Sequence, residues 1–195
     1  MNHNVSVYPF KNFTTQHSVY LTELETHIKP SRQEIVDVIV DNLETSALDN
    51  VYAHSTDWRL DLKSDIISTV VESMKQALSE IMLEYQDKRN PDFAVSPIFT
   101  FNLLNCWGVI YKEGDSTKDH WHFPCTMSQV YFVNVESNSS PLCFSDLDVA
   151  ITPESGMLIT FPSYLKHYVP PLEKNDQRII ISTNWLFGES NDTSN

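Results

Sequence analysis

Three histidines and one arginine in the second half of the chain have the residue types and spacing of a metal centre beside an anion site. His120 and His122 lie two residues apart, and His167 and Arg178 follow them. On a strand, residues i and i+2 point to the same side, so both imidazoles of the pair can face one cavity. A third histidine from a distant strand would complete one face of an octahedron around a metal such as iron and leave positions open for substrates. These three histidines are the predicted metal ligands.

Arg178 begins a predicted terminal strand on which Ile180, Ser182 and Asn184 share its face. An arginine that points into a barrel is costly unless it meets an anion, and its planar fork suits a carboxylate. Ser182 would add a hydroxyl to the same carboxylate. We therefore expect a small acid to bind deep in the barrel, beside the metal.

Each of these residues, taken alone, can also be explained without a metal or anion site. A His-x-His pair arises by chance, and His167 alone would be read as a hydrogen-bonded histidine at a strand end. Arg178 alone would be read as one half of a structural ion pair. Its candidate partners are Asp146, Asp148 and Glu173. Taken together, in order and on predicted strands, the four residues favour a metal site.

Two stretches of helical periodicity precede these residues. Ser31 and Glu34 have the spacing of a capping box at the start of a first helix. A longer helix is predicted from about Ser64, where apolar residues recur every three or four positions, and Asn90–Pro91 would end it. Apolar stripes of this kind cover a neighbouring layer, so residues 1–96 are predicted to be a mainly helical buttress against one face of a sheet.

The pattern changes from helical to alternating near Pro97. Short runs rich in β-branched and aromatic residues follow one another to Phe187, separated by clusters of Pro, Asn, Ser and Gly. About eight short strands in this segment predict a jelly roll. The predicted fold is an all-β core with N-terminal helices, in which residues 97–187 form a cupin-like double-stranded β-helix. Residues 188–195 would be a flexible tail, and the whole chain one domain.

Composition restricts the class of partner. The 195 residues include 13 basic and 26 acidic side chains, and the formal net charge of −13 disfavours nucleic acid as a partner. No apolar run is long enough to span a membrane. The three cysteines form no Cys-x-x-Cys pair, and their odd number without a signal peptide favours a reducing compartment, so the cytoplasm is expected. The sequence leaves the oligomeric state open.

Several short motifs follow one another between Asn102 and Phe187. They are His120-Trp-His122-Phe-Pro124, Ser128-Gln-Val-Tyr131, Phe161-Pro-Ser-Tyr-Leu-Lys-His167 and Arg178-Ile-Ile-Ile-Ser182-Thr-Asn184, preceded by Asn105 and Trp107. In these motifs and their order, the chain resembles the 2-oxoglutarate- and iron(II)-dependent oxygenases of the prolyl-hydroxylase type. Within them it is most similar to a bacterial and phage group that has a His-x-His motif.

The resemblance implies a reaction and a set of contacts. His120 and His167 would ligate iron(II), and Arg178 would pair with the distal carboxylate of 2-oxoglutarate. The residues implied to assist in binding this cosubstrate are Tyr111 and Ser182 and, as weaker candidates, Asn105 and Asn184. With dioxygen, 2-oxoglutarate would give succinate and carbon dioxide while a C–H bond is hydroxylated. The substrate would be a small molecule or a peptide, with a prolyl or peptidyl group as the guess that the family suggests.

His122 stands where the wider superfamily has an aspartate or a glutamate. In the interpretation we favour, His122 ligates the metal and the site is a neutral triad. In a second, Asp119 supplies the carboxylate, although alternation directs it away from His120. In a third, His122 stays off the metal and leaves a two-histidine site, as in halogenating relatives. A neutral triad compensates less of the iron charge and would also admit nickel or zinc.

Two other functions stay open. One is a three-histidine metal dioxygenase that needs no 2-oxoglutarate, in which Arg178 binds the acid group of the substrate itself. The other is a jelly-roll binding module whose histidines are structural. Trp107, Trp121 and Tyr131 are candidates to shape a substrate cavity, although aromatic residues on strands more often belong to a core.

Overall fold

The computed structural model describes residues 6–7, 19–24, 28, 30–44, 50–89, 99–136, 139–174 and 176–189. Its helices are α1 (Arg32–Asp41) and α2 (Asp65–Arg89), with a 3-10 turn at Leu60–Leu62. Its strands are β1 (Ser6–Val7), β2 (Tyr20–Glu23), β3 (Leu43–Glu44), β4 (Val51–Tyr52), β5 (His54–Thr56), β6 (Phe99–Tyr111), β7 (Ser116–His120), β8 (Met127–Val135), β9 (Leu142–Phe144), β10 (Val149–Ile151), β11 (Met157–Pro162), β12 (His167–Val169) and β13 (Arg178–Glu189).

Two antiparallel sheets make up the β core. The larger has the strand order β1-β2-β11-β8-β13-β6-β5-β3, and the smaller has the order β10-β9-β12-β7-β4. The long central strands β6, β8 and β13 carry the larger sheet, and β12 and β7 form the middle of the smaller one. The predicted all-β core with N-terminal helices is confirmed, with the double-stranded β-helix arrangement of a jelly roll.

Both helices pack on the outer face of the larger sheet. Ser31 begins α1 with the predicted capping box, in which its hydroxyl accepts from the Glu34 N–H at 3.3 Å and its own N–H donates to the Glu34 carboxylate at 2.8 Å. The stripe on α2 is buried against the sheet, with Ile67, Val70, Met74 and Leu78 fully covered. In β6, Gly108 permits the close approach of α1, because a Cβ there would lie 2.8 Å from Ile39 Cγ2.

Alternation along β13 divides its side chains between two cores. Ile179 and Ile181 join the core under the helices, whereas Ile180 joins the core between the two sheets. Arg178 and Ser182 have the same parity as Ile180, so they face the space between the sheets as well. The interior of the β-helix is therefore the place where polar side chains from β13 can meet those of the smaller sheet.

The N-terminal part contributes strands that its helical periodicity did not reveal. β2 pairs with β11, β5 pairs with β6, and β4 pairs with β7, so these short segments extend both sheets. Gly188 and Glu189 also differ from expectation, because they continue β13 instead of starting a tail. The remaining tail residues and Asn90–Pro91 lie outside the described residues. No helix in the described part of the chain is long and apolar enough to span a membrane.

Candidate metal centre

The three predicted ligands converge at one end of the β-helix. β7 ends at His120 and β12 begins at His167, and these two residues are direct partners in the antiparallel pair. His122 lies two residues beyond the end of β7, so strand alternation does not place it. Instead, its backbone N–H donates to the Ser163 carbonyl at 2.8 Å, which holds the loop against the turn before β12. The candidate ligand atoms of all three histidines lie within 4.8 Å of one another.

Backbone carbonyls orient two of the three imidazoles. His120 Nδ1 lies 2.8 Å from the Lys118 carbonyl, and His167 Nδ1 lies 3.0 Å from the Leu165 carbonyl. A carbonyl oxygen can only accept, so each Nδ1 carries the proton and each Nε2 keeps its lone pair. Metal-bound histidines typically donate from the ring nitrogen that does not bind the metal to a carbonyl or carboxylate, as Nδ1 does here.

The site keeps its imidazoles neutral. Burial lowers the pKa of His120, and lowers the pKa of His122 to about 3 with a further contribution from His120. Burial, together with the other two imidazoles, lowers the pKa of His167 far below its usual value. Because a metal binds the unprotonated ring, three neutral histidines are ready to act as ligands near pH 7.

Arg178 is a buried cation with open hydrogen-bonding capacity. Its side chain is 1% exposed, and Nε and Nη2 have no hydrogen-bond partner in the described part of the protein. The guanidinium lies 5.2 Å from the centre of the Tyr111 ring and 5.9 Å from that of Phe132. Burial lowers its pKa, although Tyr111 and Asp176 act in the opposite direction. An arginine left in this state favours an anionic ligand.

The ion pairs considered for Arg178 do not form. Among the described residues, Arg178 makes no salt bridge with Asp146, Asp148 or Glu173. Asp146 instead accepts from the Lys166 N–H at 3.0 Å. The position of Arg178 is therefore not explained by an ion pair within the described residues.

A cavity lined by the three histidines and by Arg178 joins these residues. Of the predicted contacts, those that line it besides the three histidines are Tyr111, Arg178, Ser182 and Asn184. Asn105 does not line it, although it is the partner of Asn184 in the β6–β13 register.

Some residues of the cavity were not predicted. Thr117 is buried and its hydroxyl lies 2.7 Å from the Tyr111 hydroxyl, which fixes that phenol near Arg178. Trp58 does not line the cavity itself but lies edge-on against Trp107, which does, with ring centres 4.7 Å apart. Trp107 in turn lies 5.8 Å from His122. No motif marks Thr117 or Trp58. Thr117 lies on β7, between Val169 of β12 and Val51 of β4, and Trp58 lies between β5 and the 3-10 turn.

The three aromatic candidates for a substrate cavity have different positions. Trp107 lines the cavity, whereas Trp121 is 57% exposed beside it. Tyr131 does not line the cavity and has the more common role of a core residue, buried under the helices. Asp119 does not line the cavity either, and its carboxylate accepts from the Ser145 hydroxyl at 3.0 Å on the exposed surface. The alternative in which Asp119 is the metal carboxylate has no support in this geometry.

The donor set fits a divalent transition metal. Three neutral imidazoles suit iron, zinc, copper or nickel, and the buried guanidinium suits a carboxylate bound beside the ion.

Comparison with known proteins agrees with this chemistry. Residues 147–184 match the sequence model of a family described as "Putative 2OG-Fe(II) oxygenase". The matched segment contains His167, Arg178, Ser182 and Asn184, and it begins after His120 and His122. A search of curated proteins finds no match. The resemblance predicted from the sequence motifs is confirmed.

Solved structures of low sequence identity share the fold. A prolyl-4-hydroxylase from Pseudomonas putida is 15% identical, with a TM-score of 0.58 over 87% of this chain and 92% of the other. A Trichoplax adhaerens prolyl hydroxylase, solved with a hypoxia-inducible-factor peptide fragment, is 13% identical, with a TM-score of 0.56 over 86% and 83%. The viral collagen prolyl hydroxylase of Paramecium bursaria Chlorella virus-1, solved with 2-oxoglutarate, is 14% identical, with a TM-score of 0.55 over 79% and 88%. At these identities the likeness establishes the fold.

Proposed function

We propose that this chain is an iron(II)- and 2-oxoglutarate-dependent dioxygenase that hydroxylates a C–H bond of its substrate. The observation that carries the proposal is a buried arginine with unsatisfied donors in the same cavity as three convergent, neutral histidines. A metal site alone would not need Arg178, and an anion site alone would not need the histidines. A ligand that is at once a carboxylate and a metal chelator accounts for both.

The residues have separate parts in this function. His120, His122 and His167 would hold the metal, and Arg178 would bind the distal carboxylate of 2-oxoglutarate through its planar fork. Tyr111 and Ser182 would lie beside that carboxylate. With dioxygen, the bound iron and 2-oxoglutarate supply the oxidative chemistry that yields succinate, carbon dioxide and a hydroxylated product.

Apolar side chains would keep water away from the bound acid. Val109, Val130, Phe132 and Phe161 line the cavity between the sheets. In such surroundings the attraction between a guanidinium and a carboxylate is stronger than in water.

A peptide is the substrate class that we propose. Trp121 and Phe123 flank His122 in the chain and are 57% and 76% exposed, so large apolar groups lie beside the mouth of the cavity. Exposed aromatic groups next to a site commonly mark a contact surface. The similarity to prolyl hydroxylases makes poly(L-proline) and collagen-like Pro-Pro-Gly peptides the first probes. An added oxygen found by mass spectrometry on either would support the proposal.

We also propose that the protein is cytoplasmic, in keeping with three free cysteines among the described residues.

The metal and cosubstrate are tested by anaerobic titration followed by exposure to dioxygen. Iron(II) should bind the wild type in one equivalent, and 2-oxoglutarate should then change the visible spectrum and yield succinate once dioxygen is admitted. His120→Ala and His167→Ala should lose iron affinity. The matched control His54→Ala removes an exposed histidine of β5 that does not line the cavity, and it should bind iron normally. Unchanged affinity in the first two variants would reject the metal site.

The same experiment separates the alternatives. Iron binding without any effect of 2-oxoglutarate, and without succinate, would favour a dioxygenase that needs no cosubstrate. Failure to bind iron would favour a binding module with structural histidines. For His122, the variants His122→Ala and His122→Asp decide the coordination. If His122 is a ligand, the alanine variant loses affinity and the aspartate variant retains it, whereas unchanged affinity in His122→Ala would indicate a two-histidine site.

A further inference from the structure

The imidazole of His122 is held differently from its two neighbours. Where His120 and His167 face backbone carbonyls, His122 Nδ1 faces the side-chain amide of Asn184, with 3.4 Å between Nδ1 and Nδ2. Asn184 is 3% exposed and lies on β13, six residues after Arg178. The third candidate ligand therefore depends on a group that can either donate or accept a hydrogen bond.

Asn184 belongs to a closed ring of polar contacts. Its Oδ1 lies 2.8 Å from the Ser128 hydroxyl, which lies 2.8 Å from the Ser163 hydroxyl. The Ser163 carbonyl then accepts from the backbone N–H of His122 at 2.8 Å. Both serines are buried, at 2% and 0% exposure, so the ring is shielded from water. These contacts join three elements, namely β8, β13 and the turn before β12. They hold His122 both by its backbone N–H and by its imidazole.

Two proton arrangements satisfy this ring. In the first, the amide nitrogen of Asn184 donates to His122 Nδ1, Ser128 donates to the amide oxygen, and Ser163 donates to Ser128. His122 then carries its proton on Nε2 and offers no lone pair there. In the second, the amide is turned end for end, so that its oxygen accepts from His122 Nδ1–H and its nitrogen donates to Ser128, which donates to Ser163. Only the second arrangement leaves His122 Nε2 able to bind a metal.

We propose that Asn184 is the positioning residue of the third metal ligand, and that metal binding requires its amide oxygen to accept the Nδ1 proton of His122. This inference rests on the proposed metal function and adds a residue that acts on the metal only through His122. It explains how a histidine takes the place of a carboxylate ligand in this chain. The amide selects the tautomer that the backbone carbonyls select for His120 and His167.

The test compares substitutions that change the hydrogen-bonding sense of residue 184. Asn184→Asp can only accept, so it keeps the partner of His122 Nδ1–H and still accepts from Ser128. Asn184→Leu has the same branching at Cγ and does neither, and Asn184→Ala serves the same purpose if the larger leucine prevents folding. Asn134→Leu is the control, because Asn134 is a half-buried residue of β8 that does not line the cavity. Thermal unfolding of the metal-free proteins shows which variants are folded.

Cobalt(II) titration, followed by ligand-field absorption, gives the affinity and reports the coordination of the ion. Loss of a contact that orients a metal-bound histidine typically weakens binding about 10- to 100-fold. We expect this loss, with an altered cobalt spectrum, in Asn184→Leu and Asn184→Ala. Asn184→Asp should keep the wild-type spectrum, and its affinity should be no more than about threefold weaker than that of the wild type.

Two results would overturn the inference while leaving the metal site intact. Wild-type affinity in Asn184→Leu would show that the amide does not position His122. Equal losses in the aspartate and leucine variants would show that Asn184 donates to His122 instead of accepting from it. Failure of the wild type to bind cobalt would instead reject the metal function itself, so the two failures are distinguishable.

Discussion

Replacing Arg178 by methionine should have opposite effects on ligand binding and on stability. The substitution keeps a long, unbranched side chain and removes the charge. Arg178 is buried, two of its nitrogens have no partner among the described residues, and it faces the rings of Tyr111 and Phe132. If Arg178 serves to bind a carboxylate, its uncompensated buried charge lowers the stability of the ligand-free protein.

The expected loss of affinity for 2-oxoglutarate is large. Removing one partner of a buried, hydrogen-bonded charge pair costs about 2–5 kcal/mol. At about 1.4 kcal/mol per tenfold change, this corresponds to a dissociation constant raised roughly 30-fold to several thousand-fold. Arg178→Lys retains the charge but not the planar fork, so its affinity should lie between those of the wild type and Arg178→Met.

The ligand-free variant should be more stable than the wild type. Exchanging even a paired buried charge for apolar groups of similar volume is often neutral or stabilises a protein by about 1–4 kcal/mol, and a charge without a partner is the more destabilising case. The lost cation–π contacts offset about 0.5–2 kcal/mol of this gain. We therefore expect the free energy of unfolding to rise by about 1–2 kcal/mol, which is roughly 2–8 °C in the Tm of a chain of this length.

Calorimetric titration of the metal-loaded proteins with 2-oxoglutarate and thermal unfolding of the ligand-free proteins measure the two effects. The matched control is Arg59→Met, which removes an arginine that pairs with Asp61 at 2.8 Å and does not line the cavity. It should change the affinity little. The reasoning is refuted if Arg178→Met binds 2-oxoglutarate within threefold of wild type, or if its ligand-free Tm falls.

Three further predictions concern the fold. Cys125 should react with iodoacetamide well before Cys106, which is fully buried and whose pKa is raised by burial; peptide mass spectrometry measures both rates, and equal rates would contradict the packing. Gly108→Ala should lower the free energy of unfolding in urea by about 1–3 kcal/mol through its clash with Ile39. The double variant with Ile39→Ala should lose less stability than the sum of the two single losses, whereas additive losses would exclude the clash. Ser31→Ala should cost about 1 kcal/mol by removing the helix cap, and an unchanged urea midpoint would show that the cap is dispensable.

The parts of the fold that depend on local periodicity were predictable. The capping box starts α1, the apolar stripe of α2 faces the sheet, and alternation along β13 turns Arg178 and Ser182 inward. The N-terminal strands were missed because each is two to four residues long and gains stability from its partner strand. Tyr131 lies in the core under the helices, which is the more common role of an aromatic residue on a strand, but one aromatic residue in an apolar strand does not reveal in advance which side meets the helices.

The sequence by itself determined which metal-binding and anion-binding side chains this protein has. Three histidines, one arginine and their order are covalent facts, and strand alternation is a local consequence of backbone geometry. Tertiary structure decided what those residues meet. It placed His122 by a loop contact to Ser163, left Arg178 without an ion pair in the described residues, and put Asn184 against the third imidazole. Such contacts join segments far apart in the chain, and only the packed sheets bring their atoms within hydrogen-bonding distance.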